Sequence, residues 1–452
     1  MLYRDCIVAS LLATRCCLIS RRRLFSFFAL VLTLSSASSA LAADIVFPSI
    51  DVRGAAGAGQ TVSHGSTAVF HNPACILGDS PEDLPPPPLF EPIIDVSAAH
   101  IVYTYEHTNK KKYKPATVKI TTLPTTIGFG YQPIPDLAFG FAIQPTGVGS
   151  TQNIREVPIE IAGETGDYDI TFGTSGSIYN YVFGAGASYK PHPSFTLGGG
   201  IIKIEESKIL RIYSPEQVSP ILDAAWGGSF QQFIGGVKIA PLGPTLHIGT
   251  SYRTAVIKKY QGSMKHLLSN DEYVVLDASG YTPSVFAFGF DTQVSFLKLF
   301  LDYQMEFNSK GRAYVKTGYP GCAEKTDLKD SHNVAGGVQY RLKDLHSFSL
   351  AVGNYPENVG DGYKPPESAA NSGFQSTPEA LDGVTIGTPE ALPRRIFAGS
   401  YRYNFPPQPQ TGYVQTAFHY AYGSRTVPRG YPNEGDYSIK IFVGSLAVTL
   451  RF

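Results

Sequence analysis

Apolar and polar residues alternate along many short stretches of this chain, with turn-forming residues between them. In 296–307, Leu297, Leu299, Leu301, Tyr303, Met305 and Phe307 fall on one face. Lys298, Asp302, Gln304 and Glu306 fall on the other, with Phe300 among them. A period of two marks a strand, because successive side chains leave opposite faces of an extended backbone. Segment 244–253 sets Leu246, Ile248 and Tyr252 against His247, Ser251 and Arg253. Segment 330–341 sets Val334, Val338 and Tyr340 against Asn333, Gln339 and Arg341, and 411–423 sets Val414, Phe418, Tyr420 and Tyr422 against Gln415 and His419. The pattern predicts fourteen strands, at 93–107, 116–131, 136–150, 177–190, 195–206, 230–240, 244–258, 283–293, 296–308, 330–341, 346–355, 394–404, 411–423 and 438–452.

The connections sort into two kinds. Every second one is short and turn-like: Gln132-Pro133-Ile134-Pro135, Pro191-His192-Pro193-Ser194, Pro241-Leu242-Gly243, Val294-Ser295, 342–345 and 405–410. The others are mostly long and polar, at 151–176, 207–229, 259–282, 309–329, 356–393 and 424–437; only 108–115 is brief. Tight turns alternating with long loops are expected of an all-β, up-and-down transmembrane antiparallel β-barrel with periplasmic turns and external loops. An even strand count returns both ends to the periplasmic side. The chain finishes on Leu446, Val448, Leu450 and Phe452, a lipid-facing stripe on a last strand that must pair with the first to close the barrel. A carboxyl-terminal Phe452 on such a stripe resembles the signal by which bacterial barrels are recognised by the assembly machinery.

Composition agrees with this reading. Tyr and Phe number 27 each, glycines 45, and charged residues make up only 16%. Past the N-terminus no run approaches the 18 apolar residues of a helical span. The N-terminus reads as a secretory signal peptide over 1–42: Arg21-Arg22-Arg23, an apolar run from Leu24 to Leu34, and an A-x-A site at Ala40-Leu41-Ala42. Removing it takes away Arg4, Arg15, Arg21, Arg22, Arg23 and Asp5, and leaves 32 basic and 36 acidic residues, a net charge of −4. That balance argues against nucleic acid as a partner. Cys6, Cys16 and Cys17 fall in the presequence, so only Cys75 and Cys322 remain, too few for a disulfide framework.

Between the signal peptide and the first strand, residues 51–74 are rich in Gly and Ala, too small for a lipid-facing strand. Gly54 and Gly59-Gln60-Thr61 approach a phosphate-cradling loop, but Gln60 stands where the phosphate-binding Lys is needed. Small residues running into Asn72-Pro73-Ala74 resemble the N-terminal hatch of the FadL/TodX family, outer-membrane transporters of long-chain fatty acids and aromatic hydrocarbons. Further similarity lies in Gly249-Thr250-Ser251-Tyr252-Arg253-Thr254 with Gly262, in Pro283-Ser284-Val285, and in 336–341; Cys75 departs from the Gly usual in the family. Asn72-Pro73-Ala74 also reads as a plain turn before the first strand.

The resemblance implies a 14-stranded barrel over 93–452, with a hatch and Pro-rich spacer over 43–92. Gly54, Gly57, Gly59, Asn72, Pro73 and Ala74 would form the gate. An apolar ligand would bind in the lumen and leave through a gap in the wall, gaining about 25 cal/mol per Å² on entering the bilayer. Arg253, Lys298 and Arg341 point to the lumen and could pair a carboxylate headgroup, or else form an ion network with Asp302 and Glu306. His247 and His419 lack metal-ligand spacing, and no metal or cofactor is expected. No H-E-x-x-H, G-x-S-x-G or C-x-x-C occurs, so the chain is not expected to be an enzyme. Expected partners are the hydrophobic ligand, outer-membrane lipid and lipopolysaccharide, and the assembly machinery. Two other readings stay open: a general porin, and a surface interaction barrel acting through loops 151–176 and 356–393.

Overall fold

The computed structural model describes residues 47, 49–77, 89–107, 116–149, 153–159, 168–213, 220–266, 273–310, 314–317, 329–342, 345–356, 393–406, 412–427 and 435–452. The expected signal peptide, Cys322, the proline run 85–88 and most of 356–393 lie outside the described residues.

Nineteen strand segments join into fourteen barrel strands. They are β1 (Leu89–His107), β2 (Ala116–Thr122 and Thr125–Ile134), β3 (Leu137–Gly149 and Asn153–Ile159), β4 (Tyr168–His192) and β5 (Phe195–Tyr213). Next come β6 (Pro220–Ile239), β7 (Leu246–Arg253 and Val256–His266), β8 (Tyr273–Thr282 and Val285–Val294) and β9 (Leu297–Glu306 and Tyr314–Thr317). The last are β10 (Ser331–Leu342), β11 (His346–Tyr355), β12 (Arg394–Asn404), β13 (Gly412–Val427) and β14 (Gly435–Leu450). Each pairs antiparallel with its neighbours in sequence. β14 returns to β1 over Ile93↔Thr449 to His107↔Gly435, which closes the sheet into a barrel. Phe452 extends that seam, exchanging two backbone hydrogen bonds of 3.0 Å with Phe90.

All fourteen expected strands are present, and several are longer than the pattern foretold. Segments expected to be loop are strand in part: 153–159 and 168–176, 207–213 and 220–229, 259–266 and 273–282, and 314–317. These lie at the long-loop end of the barrel. Around their starts the sequence runs Glu205-Glu206-Ser207-Lys208 and Lys258-Lys259, so period-2 alternation fades while the backbone ladder continues.

The faces divide as the alternation predicts. Phe139, Phe141, Phe288, Leu299, Leu350 and Phe442 are exposed on the outside, whereas Lys298, Phe300 and Asp302 are buried inside. An exterior band of large apolar side chains around a polar interior inverts a water-soluble fold and suits hydrocarbon outside.

The N-terminal segment lies within the bore. It comprises a short helix α1 (Ile50–Gly54) and two 3-10 turns, Gly65–Phe70 and Pro73–Cys75. Its residues are nearly all buried, and it packs against opposite sides of the wall. Ala55, Ala56 and Ala58 share an apolar cluster with Ile101, Phe300, Ile396, Ile439 and Ile441, while Val69 and Phe70 pack on Ala142, Ile202 and Ile234.

Candidate functional site

Small side chains in the N-terminal segment bring its backbone close to the wall, where a few polar contacts hold it. Asp302 of β9 accepts from the amides of Gly59 at 2.6 Å and Gln60 at 2.7 Å through one carboxylate oxygen. The Gln60 carbonyl in turn accepts from Asn72 Nδ2 at 3.0 Å and from the Cys75 thiol at 3.2 Å. Asn72 caps its own turn as well, its Oδ1 accepting from Ala74 N at 3.1 Å, and its Nδ2 reaches the Val237 carbonyl on β6 at 3.3 Å. Pro73 opens the 3-10 turn, where it has no amide hydrogen to leave unmet. Asn72-Pro73-Ala74 is therefore more than a plain turn, because it ties two stretches of the segment together and to the wall.

Glycines on both surfaces permit the fit. Gly57 has φ +103°, a left-handed backbone that side-chain-bearing residues avoid. Gly198 of β5 and Gly236 of β6 are cross-strand partners directly beneath the Asn-Pro-Ala turn. A Cβ on Gly236 would collide with Asn72 Oδ1, and one on Gly198 with the Pro73–Ala74 peptide. At Gly54 a Cβ would come 2.7 Å from Ser400 Cβ.

Two ion pairs fix the N-terminal end: Arg53 with Asp95 of β1, and Asp51 with Arg402 of β12. The first pair is almost wholly buried. Ser349 and Tyr355 of β11 donate to the carbonyls of Gly54 at 3.3 Å and Ala56 at 3.2 Å, and Ser188 of β4 accepts from Leu77 N at 3.2 Å. Burial, with the charges of Arg253 and Arg53, holds His71 down to about 3, and burial also pushes the Cys75 thiol up.

Arg253, Lys298 and Arg341 all stand on the lumen side of their strands, but they do not converge. Lys298 is buried and ion-paired to Asp291 of β8 at 3.1 Å, and His247 of β7 contacts the same carboxylate at 3.0 Å. The network therefore forms through Asp291, which the sequence reading passed over, while Asp302 is committed to the N-terminal segment. Lys298 and Arg341 act on His64, whereas Arg253 acts on His71. Strand alternation placed Asp302 in the lumen but could not say which partner it meets there.

One interruption in the wall stands out. Pairing of β2 with β3 ends at Ile127↔Ile143. Above it, Ala116–Thr122 pairs with β1 only, and no ladder joins it to β3 among the described residues. The 3-10 turn Gly65–Phe70 packs on the inner side of the wall where this ladder stops, with Ser66 against Gly128 and Gly140.

A closed barrel of this kind, apolar outside and polar within, is a bacterial outer-membrane β-barrel. No family model and no curated sequence matches the chain. Solved structures do. A Pseudomonas aeruginosa FadL homologue superposes with a TM-score of 0.61 at 13% identity, over 89% of this chain and 97% of that one. The Pseudomonas putida toluene transporter TodX gives 0.56 at 12% identity, over 89% and 98%. The Ralstonia pickettii toluene transporter TbuX gives 0.54 at 14% identity, over 89% and 98%. The fold of this chain is that of the FadL/TodX channels.

Proposed function

We propose that this protein is a gated outer-membrane channel for small hydrophobic molecules, long-chain fatty acids or aromatic hydrocarbons. The N-terminal segment acts as the hatch, with Gly54, Gly57, Gly59, Asn72, Pro73 and Ala74 in the gate; Arg253, Lys298 and Arg341 are candidate ligand contacts. The ligand leaves sideways into the bilayer when the hatch shifts. The observation that carries this reading is the buried small-residue segment held to both sides of the bore, beside a break in the hydrogen-bond ladder between β2 and β3. A lipid-soluble molecule gains burial free energy by leaving through the wall, and little from a watery pore. A general porin needs an unobstructed bore, so the segment favours the gated reading. Transport rather than catalysis is also the role of the toluene transporters that share this fold. Lipid, lipopolysaccharide and the assembly machinery are the partners such a role requires.

Deletion of 49–77 tests the proposal in planar bilayers, together with toluene and oleate binding to the refolded protein. A large rise in ion conductance with loss of ligand retention is expected. Unchanged conductance, or an intact protein that binds neither compound, would count against it.

A further inference from the structure

The outer wall of β12 to β14 changes character at one cross-strand row. Arg395 of β12, Tyr422 of β13 and Lys440 of β14 are register partners in turn, and all three point outward. Phe397, Tyr420 and Phe442 make the next outward row towards the periplasm and are exposed. On the other side come Ser424 and Ser438. A tilted strand crosses the hydrocarbon layer in about 9–11 residues. Counted from the periplasmic ends at Asn404 and Leu450, that length reaches Arg395 and Lys440. The row thus lies where acyl chains give way to headgroups in the outer leaflet, a depth at which an outward charge is tolerated.

Both cations are exposed, and among the described residues neither has an ion pair or hydrogen bond. Lys203 on the outer face of β5, by contrast, is neutralised by Glu205 at 2.6 Å. The carboxylates of this wall, Asp436 and its register partner Glu106 of β1, stand two rows further out, and Asp436 accepts from Thr426 Oγ1 at 2.7 Å. Neighbouring strands lie about 4.8 Å apart, so Arg395 and Lys440 start on the order of 10 Å apart, one on each side of Tyr422. Two long side chains can close that gap around one phosphate with charge-assisted hydrogen bonds. Beneath them the Tyr422 ring stacks on Phe397 at 6.3 Å and on Tyr420 at 6.2 Å, an aromatic ledge against which acyl chains can lie.

We propose that Arg395 and Lys440 bind a phosphate of the phosphorylated glycolipid of the outer leaflet, with its acyl chains on Phe397, Tyr420 and Phe442. A pair of cations above an apolar ledge matches an amphiphile with a phosphate head, whereas a small anion would use the cations alone. The site lies on the outside of the wall and is independent of the channel reading.

The test is native mass spectrometry of the full refolded barrel in a neutral detergent, titrated with diphosphoryl lipid A, with the same lipid stripped of phosphate, and with phosphatidylglycerol. The wild type is expected to bind lipid A at least about tenfold tighter than the dephosphorylated form, the worth of one or two charge-assisted hydrogen bonds. The double variant Arg395→Gln, Lys440→Gln is expected to lose that preference. Lys259→Gln, which removes an exposed charge from β7 across the barrel, is expected to keep it. The slower migration of unheated barrel on gels confirms that each variant is folded. No lipid A bound by the wild type, equal binding of the dephosphorylated form, or a preference untouched in the double variant overturns the inference. So does an equal loss in Lys259→Gln, which would mark a response to net charge alone, or phosphatidylglycerol binding as tightly as lipid A. All of these outcomes leave the channel reading standing.

Discussion

The residues that hold the N-terminal segment differ in how openly the sequence displays them. Asn72-Pro73-Ala74 and the glycines of 54–59 are visible as a local pattern, because a cap, a proline-led turn and a positive φ are local demands. Gly198 and Gly236 are invisible as a pair until β5 and β6 are aligned. Gly236→Val would force Asn72 out of its seat, and overpacking of this kind costs about 1–3 kcal/mol. The variant is expected to conduct more ions in planar bilayers while folding normally; wild-type conductance would refute the seat. His71 makes a second prediction. Well above its ordinary value of 6.5, His71 carries no proton in the seated or a released segment; between 6.5 and about 3 it is protonated chiefly in the released one. Its contribution to seating is therefore lost as pH falls through that window, and buried His64 of the same segment acts in the same direction. His71→Phe should make conductance rise less steeply from pH 7 to pH 4 than in the wild type, and an unchanged profile would refute this.

Among the elements, alternation works where the two faces of a strand meet different media. β11 shows this cleanly, with Ser347, Ser349 and Ala351 buried and Phe348, Leu350 and Val352 exposed. Leu350→Arg puts a charge on the lipid face and is expected to cost up to about 2–4 kcal/mol near the bilayer midplane. Urea unfolding in lipid vesicles would measure it, and a cost near zero would argue that this face meets water. Where charged residues interrupt the alternation the signal disappears, so the long-loop ends of strands from β3 to β9 read as loops. Their hydrogen bonds run from backbone to backbone and need no particular side chain.

For the whole molecule, the closing seam and the interrupted one are separated by a single intervening seam, that between β1 and β2. β14 and β1 pair from Ile93 to His107, whereas among the described residues Ala116–Thr122 of β2 pairs on one side only. Amides of 116–122 are thus expected to exchange with deuterium well ahead of those in 439–447 when the detergent-solubilised barrel is followed by mass spectrometry. Equal protection across both seams would mean that β2 and β3 are zipped together in solution. Removal of 49–77 should leave the barrel closed, since its strands hydrogen-bond to one another and none pairs with that segment.

What the sequence determined by itself was the barrel: strand number, order, faces and the sorting of short and long connections. These follow from periodicity and turn chemistry, which are properties of neighbours along the chain. Only the tertiary structure decided that Asp302 grips Gly59 and Gln60, that Lys298 pairs with Asp291, and that Asp51 meets Arg402. Those facts depend on the stagger between strands and on where the N-terminal segment comes to rest. Both are set by contacts between residues hundreds of positions apart, which no local pattern can encode.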